Sequence, residues 1–250
     1  MKYKAAIFDM DGTVLDTIGD LTNAVTHAMK ESGHSSDFTV EEVRHFFGSG
    51  APVAFARALA FESGEDLETI RKIGTASPKD TPCHDREVRQ EAFTSTEMTE
   101  EVHRLTEIFS KYYPDHCEEL TRPFPGISEM LDHLHEAGVR LAVVSNKIDP
   151  AVQILAGNHF PGLFDFALGT TENLRRKPFP DMVNKCLEVL GVDREDAVYV
   201  GDSEIDIQTA EAAGMDCVSV TWGFRSTEFL HEHGAECIVR DPEELIRVIE

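Results

Sequence analysis

The chain has 250 residues, 41% of them hydrophobic, and its 46 acidic and 23 basic side chains give a formal net charge of −23. The length is enough for one large domain or for a core with a smaller domain, and the mean hydropathy of −0.25 with no long apolar run predicts a soluble chain without a membrane span. Because so strong a negative charge repels nucleic acid and anionic membrane surfaces, we expect neither as a partner.

The cysteines and the N-terminal residues indicate a cytoplasmic protein. The five cysteines are odd in number and form no CxxC pair, so the sequence predicts neither a disulfide framework nor a zinc site. They are Cys83, Cys117, Cys186, Cys217 and Cys237. The first residues, Met-Lys-Tyr-Lys followed by a short apolar run, lack the long apolar segment of a signal peptide.

The first candidate site follows the apolar run 5–8, which predicts a buried strand. Directly after it come Asp9, Asp11, Gly12 and Thr13, residue types that follow strand ends. Two carboxylates two residues apart at the carboxyl end of a central strand occupy the position where open α/β sheets bind ligands. They would repel each other without a cation or proton between them, and Mg²⁺ with its oxygen ligands fits that position. The alternative is an ordinary solvated turn.

Residues 17–120 indicate only helices. Apolar residues recur at helical spacing in residues 17–33, after Thr39, before Gly64, in 65–73 and in 99–113. Residues 74–97 are polar and contain Pro78 and Pro82, which indicates an irregular excursion.

From Pro123 onward the pattern alternates between strand and helix. Strands are predicted at 139–145, 166–168, 197–200 and 217–220, and helices at 127–137, 149–159, 181–190 and 204–213, before a last helix, strand and helix. This alternation predicts a Rossmann-like α/β core, a parallel sheet with helices on both faces. The predicted core domain is residues 1–16 and 123–250, and residues 17–122 form an inserted all-helical domain.

Further polar residues follow the later strands. Ser145, Asn146 and Lys147 follow one strand, and Asp202 follows another, with Asp206 on the first turn of the next helix. Lys177 is held between Arg176 and two prolines in a loop. Each has an ordinary alternative: a turn, a basic surface loop, or helix capping. Together, however, acids, a hydroxyl and a lysine at one sheet edge are the groups that phosphoryl transfer requires.

These motifs resemble those of the haloacid dehalogenase-like superfamily. They are Asp9-Met10-Asp11-Gly12-Thr13, Ser145, Lys177-Pro178, and Gly201-Asp202-Ser203 through Asp206. Within the superfamily the chain is most similar to bacterial phosphoglycolate phosphatases, including Gly48-Ser49-Gly50 with Arg57, and Trp222-Gly223-Phe224. It departs from them mainly in residues 62–120, which are longer than the usual cap.

The resemblance implies a role for each motif residue. Asp9 would be the nucleophile and Asp11 the general acid and base. Mg²⁺ would bind Asp9, Asp202 and Asp11, the last through its backbone carbonyl. Gly12, Thr13, Ser145, Asn146 and Lys177 would bind the substrate, and Asp206 would orient Lys177 or a metal-bound water. The helical insertion would act as a cap, with Arg57 as a partner for a substrate carboxylate.

The expected protein is a phosphomonoester hydrolase acting on a small phosphorylated metabolite, as a monomer or weak homodimer. Phosphoglycolate is the leading substrate. A sugar phosphomutase, or a pyrophosphatase or nucleotidase on the same scaffold, is the alternative enzyme. A non-catalytic phosphoacceptor resembling a receiver domain is the alternative from another class.

Overall fold

The structure, a computed structural model, describes residues 2–74 and 100–250. The chain divides into two compact units, Met1–Thr17 with Thr121–Glu250, and Ile18–Leu120. Apart from Gly74, the irregular excursion predicted for residues 74–97 lies outside the described residues, and so does Cys83.

The elements are numbered here along the described residues. The strands are β1 (Ala5–Phe8), β2 (Leu15–Asp16), β3 (Arg122–Pro123), β4 (Arg140–Ile148), β5 (Phe166–Thr170), β6 (Ala197–Gly201), β7 (Asp216–Val220) and β8 (Cys237–Val239). The helices are α1 (Ile18–Glu31), α2 (Val40–Phe46), α3 (Ala51–Glu62), α4 (Leu67–Arg71), α5 (Glu100–His116), α6 (Ile127–Glu136), α7 (Asp149–His159), α8 (Asp181–Leu190), α9 (Glu204–Ala213), α10 (Thr227–Glu232) and α11 (Pro242–Ile249). None of these described helices is both long and apolar enough to cross a membrane.

The first unit is built on a six-stranded parallel sheet in the order β5-β4-β1-β6-β7-β8. Strand β1 lies between β4 and β6, with Phe8 opposite both Val143 and Val200. Successive side chains of a strand point to opposite faces of the sheet. Ile7 of β1 packs in one core cluster with residues of α8 and α9. Helices α6 and α7 also contact the sheet, through β4. The predicted α/β core with a parallel sheet is therefore confirmed.

Strand β4 is longer than the sequence predicts. The polar run Ser145-Asn146-Lys147 indicates a turn after the strand, but β4 continues to Ile148. Its pairing with β5 shifts register between Val144 and Ile148, where Ile148 pairs with Thr170. The prediction that the strand ends at Ser145 is wrong, because pairing with β5 resumes at Ile148 and the polar residues therefore lie within the strand.

A second, two-stranded sheet was not predicted. Leu15 and Asp16 of β2 pair antiparallel with Pro123 and Arg122 of β3. This pairing joins the chain just before residue 18 to the chain just after residue 120. Two residues per strand are too few to give a periodic signal, so the sequence pattern cannot reveal it.

The second unit contains α1 to α5 and no strand within residues 18–74 and 100–120. Helix α2 begins with a capping box, in which Thr39 and Glu42 bond each other's backbone N–H groups. Aromatic rings fill the interior of the second unit. For example, the Phe55 ring lies edge-on to Phe109, and Phe109 stacks on Tyr113. The unit therefore has a hydrophobic core of its own.

Candidate active site

The carboxyl ends of three neighbouring strands bring the predicted motif residues to one edge of the sheet. Asp9 follows β1, Ser145 lies on β4, and Asp202 follows β6. Asp9 continues the pairing, since its N–H donates to the Val200 carbonyl at 2.8 Å. The Ser145 hydroxyl, which is buried, accepts a hydrogen bond from the Lys147 N–H at 3.2 Å.

Three buried carboxylates converge at this edge. Oxygens of Asp9, Asp202 and Asp206 lie within 4.8 Å of one another. The Nζ of Lys177, 1% exposed, lies 2.8 Å from Asp9 Oδ1 and 2.8 Å from Asp206 Oδ1. Three carboxylates thus face one ammonium group, and such a buried excess of negative charge calls for a cation or protons.

Both oxygens of Asp206 are already engaged. Oδ1 accepts from Lys177 at 2.8 Å and from the Tyr199 hydroxyl at 3.2 Å, while Oδ2 accepts the Ser203 N–H at 3.1 Å and hydroxyl at 2.7 Å. The contact with Ser203 is a capping box at the start of α9. Asp206 therefore holds Lys177 and the helix start together.

Asn146 holds the Lys177 backbone. Its side-chain amide donates to the Lys177 carbonyl at 3.1 Å, and its side-chain oxygen accepts the Lys177 N–H at 2.9 Å. In the structure, the Asn146 side chain fixes the backbone segment that carries Lys177. The sequence predicts a different role for Asn146, that of a substrate ligand. The predicted role on substrate stays a prediction.

Tyr199 belongs to the site and was missed by the sequence reading. Its hydroxyl accepts a hydrogen bond from Lys177 Nζ at 3.1 Å and donates to Asp206. Burial above all raises the pKa of Tyr199 well above its ordinary value, so the phenol stays protonated. The available signal was a hydroxyl in an otherwise apolar strand, three residues before Asp202.

Asp11 lies apart from this cluster and has partners of its own. Its Oδ1 accepts the Thr17 hydroxyl at 2.6 Å and lies 3.0 Å from Lys147 Nζ, a buried lysine. The two contacts fix one oxygen of a carboxyl group next to the site.

Asp202 is enclosed by residues 12, 13 and 222–224. Its Oδ1 accepts the Thr13 hydroxyl at 3.3 Å and its Oδ2 accepts the Phe224 N–H at 2.6 Å. Gly12 has φ +83°, and a Cβ there would lie 2.4 Å from Asp202 Oδ2, so only glycine fits. Trp222 Nε1 donates to the Thr13 carbonyl at 2.9 Å, which ties the enclosing segment to the first motif.

The electrostatics of the cluster fit a divalent cation. Burial, followed by the charge of Asp206, raises the pKa of Asp202 to about 7. Burial also raises the pKa of Asp9 well above its ordinary value; the nearby carboxylates add to this effect, and Lys177 opposes it. For Lys177, burial lowers the pKa, but the Asp206 and Asp9 charges outweigh it and keep the amine charged. Buried carboxylate oxygens are the donors that a hard divalent ion prefers, so the residues present suit such an ion.

Arg57 has a different role from the one predicted. It is fully buried in the second unit, and its guanidinium donates to the Phe46 carbonyl at 3.0 Å and the Ile73 carbonyl at 2.9 Å. The expectation that it meets a substrate carboxylate is wrong, because its N–H groups bind carbonyls at the ends of α2 and α4.

Comparisons with known proteins assign the family. Residues 3–214 match the haloacid dehalogenase-like hydrolases. The chain belongs to this family. A curated relative from Salmonella typhi, named phosphoglycolate phosphatase, is 32% identical over 91% of this chain and 84% of its own.

Solved structures agree with this assignment. A Lactobacillus delbrueckii subsp. bulgaricus protein, whose phosphoglycolate phosphatase activity is itself a prediction, is 51% identical with a TM-score of 0.89 over 100% of this chain and 99% of its own. CbbY from Rhodobacter sphaeroides, solved in complex with phosphate, is 25% identical with a TM-score of 0.65 over 97% and 96%. The prediction of a haloacid dehalogenase-like enzyme of the phosphatase type is confirmed at the level of family and enzyme class.

Proposed function

We propose that this protein is a Mg²⁺-dependent phosphomonoester hydrolase that works through an aspartyl phosphate, with 2-phosphoglycolate as the leading substrate. The observation that carries the proposal is the buried cluster in which Lys177 bridges Asp9 and Asp206, with an Asp202 oxygen within 4.8 Å of both carboxylates. The substrate comes from the name of the Salmonella typhi relative, which is 32% identical.

Asp9 is the proposed nucleophile. Its Oδ1 accepts the Met10 N–H at 2.6 Å and lies 2.8 Å from Lys177 Nζ, whereas no hydrogen bond from the described residues falls on Oδ2. Oδ2 attacks phosphorus, the bond between phosphorus and the ester oxygen breaks, and an acyl phosphate forms on Asp9. Attack by water on that phosphorus then releases inorganic phosphate and restores the carboxylate.

Asp11 is the proposed proton carrier. It gives its proton to the leaving alkoxide in the first half-reaction and takes one from the attacking water in the second. Thr17 and Lys147 both contact its Oδ1, so the carboxyl group is fixed in direction while its other oxygen serves the transfer.

Asp9 and Asp202 would hold Mg²⁺, with the predicted help of the Asp11 carbonyl. Asp206 is less suited, because each of its oxygens accepts two hydrogen bonds, whereas each oxygen of Asp202 accepts one from the described residues. When bound, the ion supplies positive charge for the phosphoryl oxygens. Lys177 adds a second positive charge, and Ser145, Gly12 and Thr13 remain the proposed ligands of the transferring group.

The first experiment measures inorganic phosphate released from 2-phosphoglycolate with and without Mg²⁺. We expect Mg²⁺-dependent release that falls by about 10³-fold or more in Asp9→Asn, since the amide cannot form the acyl phosphate. In Asp11→Asn the rate should fall by about 10²–10⁴-fold. The matched control is Asp132→Asn on the exposed surface of α6, which should keep the wild-type rate.

The same assay separates the alternatives. Isomerisation of a sugar phosphate without phosphate release would identify a phosphomutase, and faster release from pyrophosphate or nucleoside monophosphates would change the substrate class. Stable phosphorylation without turnover would identify a phosphoacceptor. Full activity of Asp9→Asn on every ester would refute the covalent route.

A further inference from the structure

A buried ion pair lies next to Asp202, between two residues to which the sequence motifs assign no role. Arg225 Nε lies 2.9 Å from Glu204 Oε2, and the two side chains are 2% and 5% exposed. Removing both charges from water is costly, and a buried pair is weak evidence for stability on its own. The pair therefore invites a functional explanation.

The ion pair joins the segments on either side of Asp202 and Phe224. Glu204 follows Asp202 by two residues, and Arg225 directly follows Phe224. The hydrogen bond from the Phe224 N–H to Asp202 Oδ2 and the Glu204–Arg225 pair thus connect the same two stretches of chain side by side. The ion pair is therefore one of the contacts that hold the second stretch against the first.

That second stretch is packed closely against the site. A Cβ on Gly223 would lie 2.4 Å from the Gly12 carbonyl and 2.3 Å from the Asp202 Cβ, so the backbone approaches both without a gap. Trp222 is hydrogen-bonded to the Thr13 carbonyl on the other side. A small displacement of residues 222–224 would consequently move Asp202.

We propose that Glu204 and Arg225 are positioning residues for the cation-binding carboxylate: their ion pair holds residues 222–224 in place, so that Asp202 keeps one oxygen on the Phe224 N–H and presents the other to the ion. This inference rests on the proposed function, because it assumes the cation site proposed there at Asp9 and Asp202. Groups that orient a metal ligand commonly change metal affinity by about 10–100-fold when they are altered.

The test measures cation binding without substrate. Mn²⁺ is the probe, its binding is read from the loss of the free-ion EPR signal, and Mg²⁺ competition gives the Mg²⁺ affinity. We expect Glu204→Gln and Arg225→Lys each to weaken Mn²⁺ binding by about 10-fold or more. The matched control is Arg140→Lys, which alters the Arg140–Asp165 ion pair at the amino end of β4 and should leave the affinity unchanged.

A kinetic readout distinguishes positioning from a merely structural role. In both variants the Mg²⁺ concentration for half-maximal phosphate release should rise in parallel with the Mn²⁺ dissociation constant, while the rate at saturating Mg²⁺ stays close to wild type. Trp222 is the only tryptophan in the chain, so its emission reports on the segment directly, and we expect a red shift in both variants and none in Arg140→Lys.

The double variant Glu204→Gln/Arg225→Gln removes both charges of this pair together, and it carries the test if the single variants do not fold. Wild-type cation affinity in any folded variant of the pair would overturn the inference. Absence of both cation binding and phosphate release in the wild-type protein would instead overturn the proposed function.

Discussion

Lys177 uses all three of its N–H donors within the site. They point to Asp9 Oδ1 at 2.8 Å, Asp206 Oδ1 at 2.8 Å and the Tyr199 hydroxyl at 3.1 Å. An ammonium group has three donors and no acceptor, so these contacts define its direction completely. Tyr199 is the one uncharged partner, which makes it the best residue at which to test how strictly the lysine must be oriented.

Tyr199→Phe removes one oxygen and leaves the ring in place. We expect kcat for 2-phosphoglycolate to fall by about 3–10-fold, the equivalent of roughly 1 kcal/mol and so of one typical hydrogen bond, with little change in KM. Steady-state kinetics at saturating Mg²⁺ measure the effect. Tyr113→Phe, the same change at a buried tyrosine of the second unit, is the control and should leave kcat unaltered. Wild-type kcat in Tyr199→Phe would mean that two carboxylates suffice to orient Lys177.

At the scale of elements, Arg57 is the hydrogen-bond donor that joins three helices of the second unit. From α3 it reaches the Phe46 carbonyl at the end of α2 through a buried contact, and the Ile73 carbonyl just after α4 through a partly buried one. Helix ends leave backbone carbonyls without intrahelical partners, and the guanidinium satisfies several at once.

Arg57→Met should lower the free energy of unfolding by about 3 kcal/mol, because buried carbonyls lose their donor at roughly 1–3 kcal/mol each. Urea denaturation followed by circular dichroism measures the change. Lys185→Met removes a charge from the exposed Lys185–Glu188 pair on α8, and it should shift the unfolding free energy by less than about 1 kcal/mol. Equal shifts in the two variants would contradict the role assigned to Arg57.

Several helices were predictable because the residue types at their ends indicate where a helix begins or stops. Helices α7, α8 and α9 were predicted at 149–159, 181–190 and 204–213, and the structure has these bounds. Gly191 and Gly214 adopt the left-handed conformation directly after α8 and α9, which marks the helix ends in the sequence. Strand β4 had no such signal. It extends to Ile148 because that residue pairs with Thr170 of β5, and such a pairing cannot be read from the sequence of one strand.

The convergence of Asp9, Asp202 and Lys177 follows from the topology that the alternation of strands and helices predicts. The partners that orient them do not follow from it. Arg57, Asn146 and Tyr199 carry groups that suit either substrate or backbone, and only their surroundings decide. The roles of the motif residues stay predictions until the variants are measured.

At the scale of the whole molecule, the net charge of −23 opposes the approach of an anionic substrate. The site does not fully offset this charge locally, because its residues include Asp9, Asp11, Asp202 and Asp206 but only the lysines Lys147 and Lys177. A bound divalent cation would bring these groups to neutrality. The field that remains is that of the surface, which acts at long range and is screened by salt.

Screening should therefore accelerate encounter without altering the chemistry. The Debye length falls from roughly 30 Å at 10 mM to about 8 Å at 150 mM ionic strength. Over this range, at saturating Mg²⁺, we expect kcat/KM for 2-phosphoglycolate to rise by about 2–5-fold while kcat stays constant, because the repulsion acts on the approach of substrate. A less charged ester, p-nitrophenyl phosphate, should show a smaller rise under the same conditions. A fall of kcat/KM with salt would instead mean that the local charges of the lysines and the cation dominate substrate capture, and the surface charge would then have no part in it.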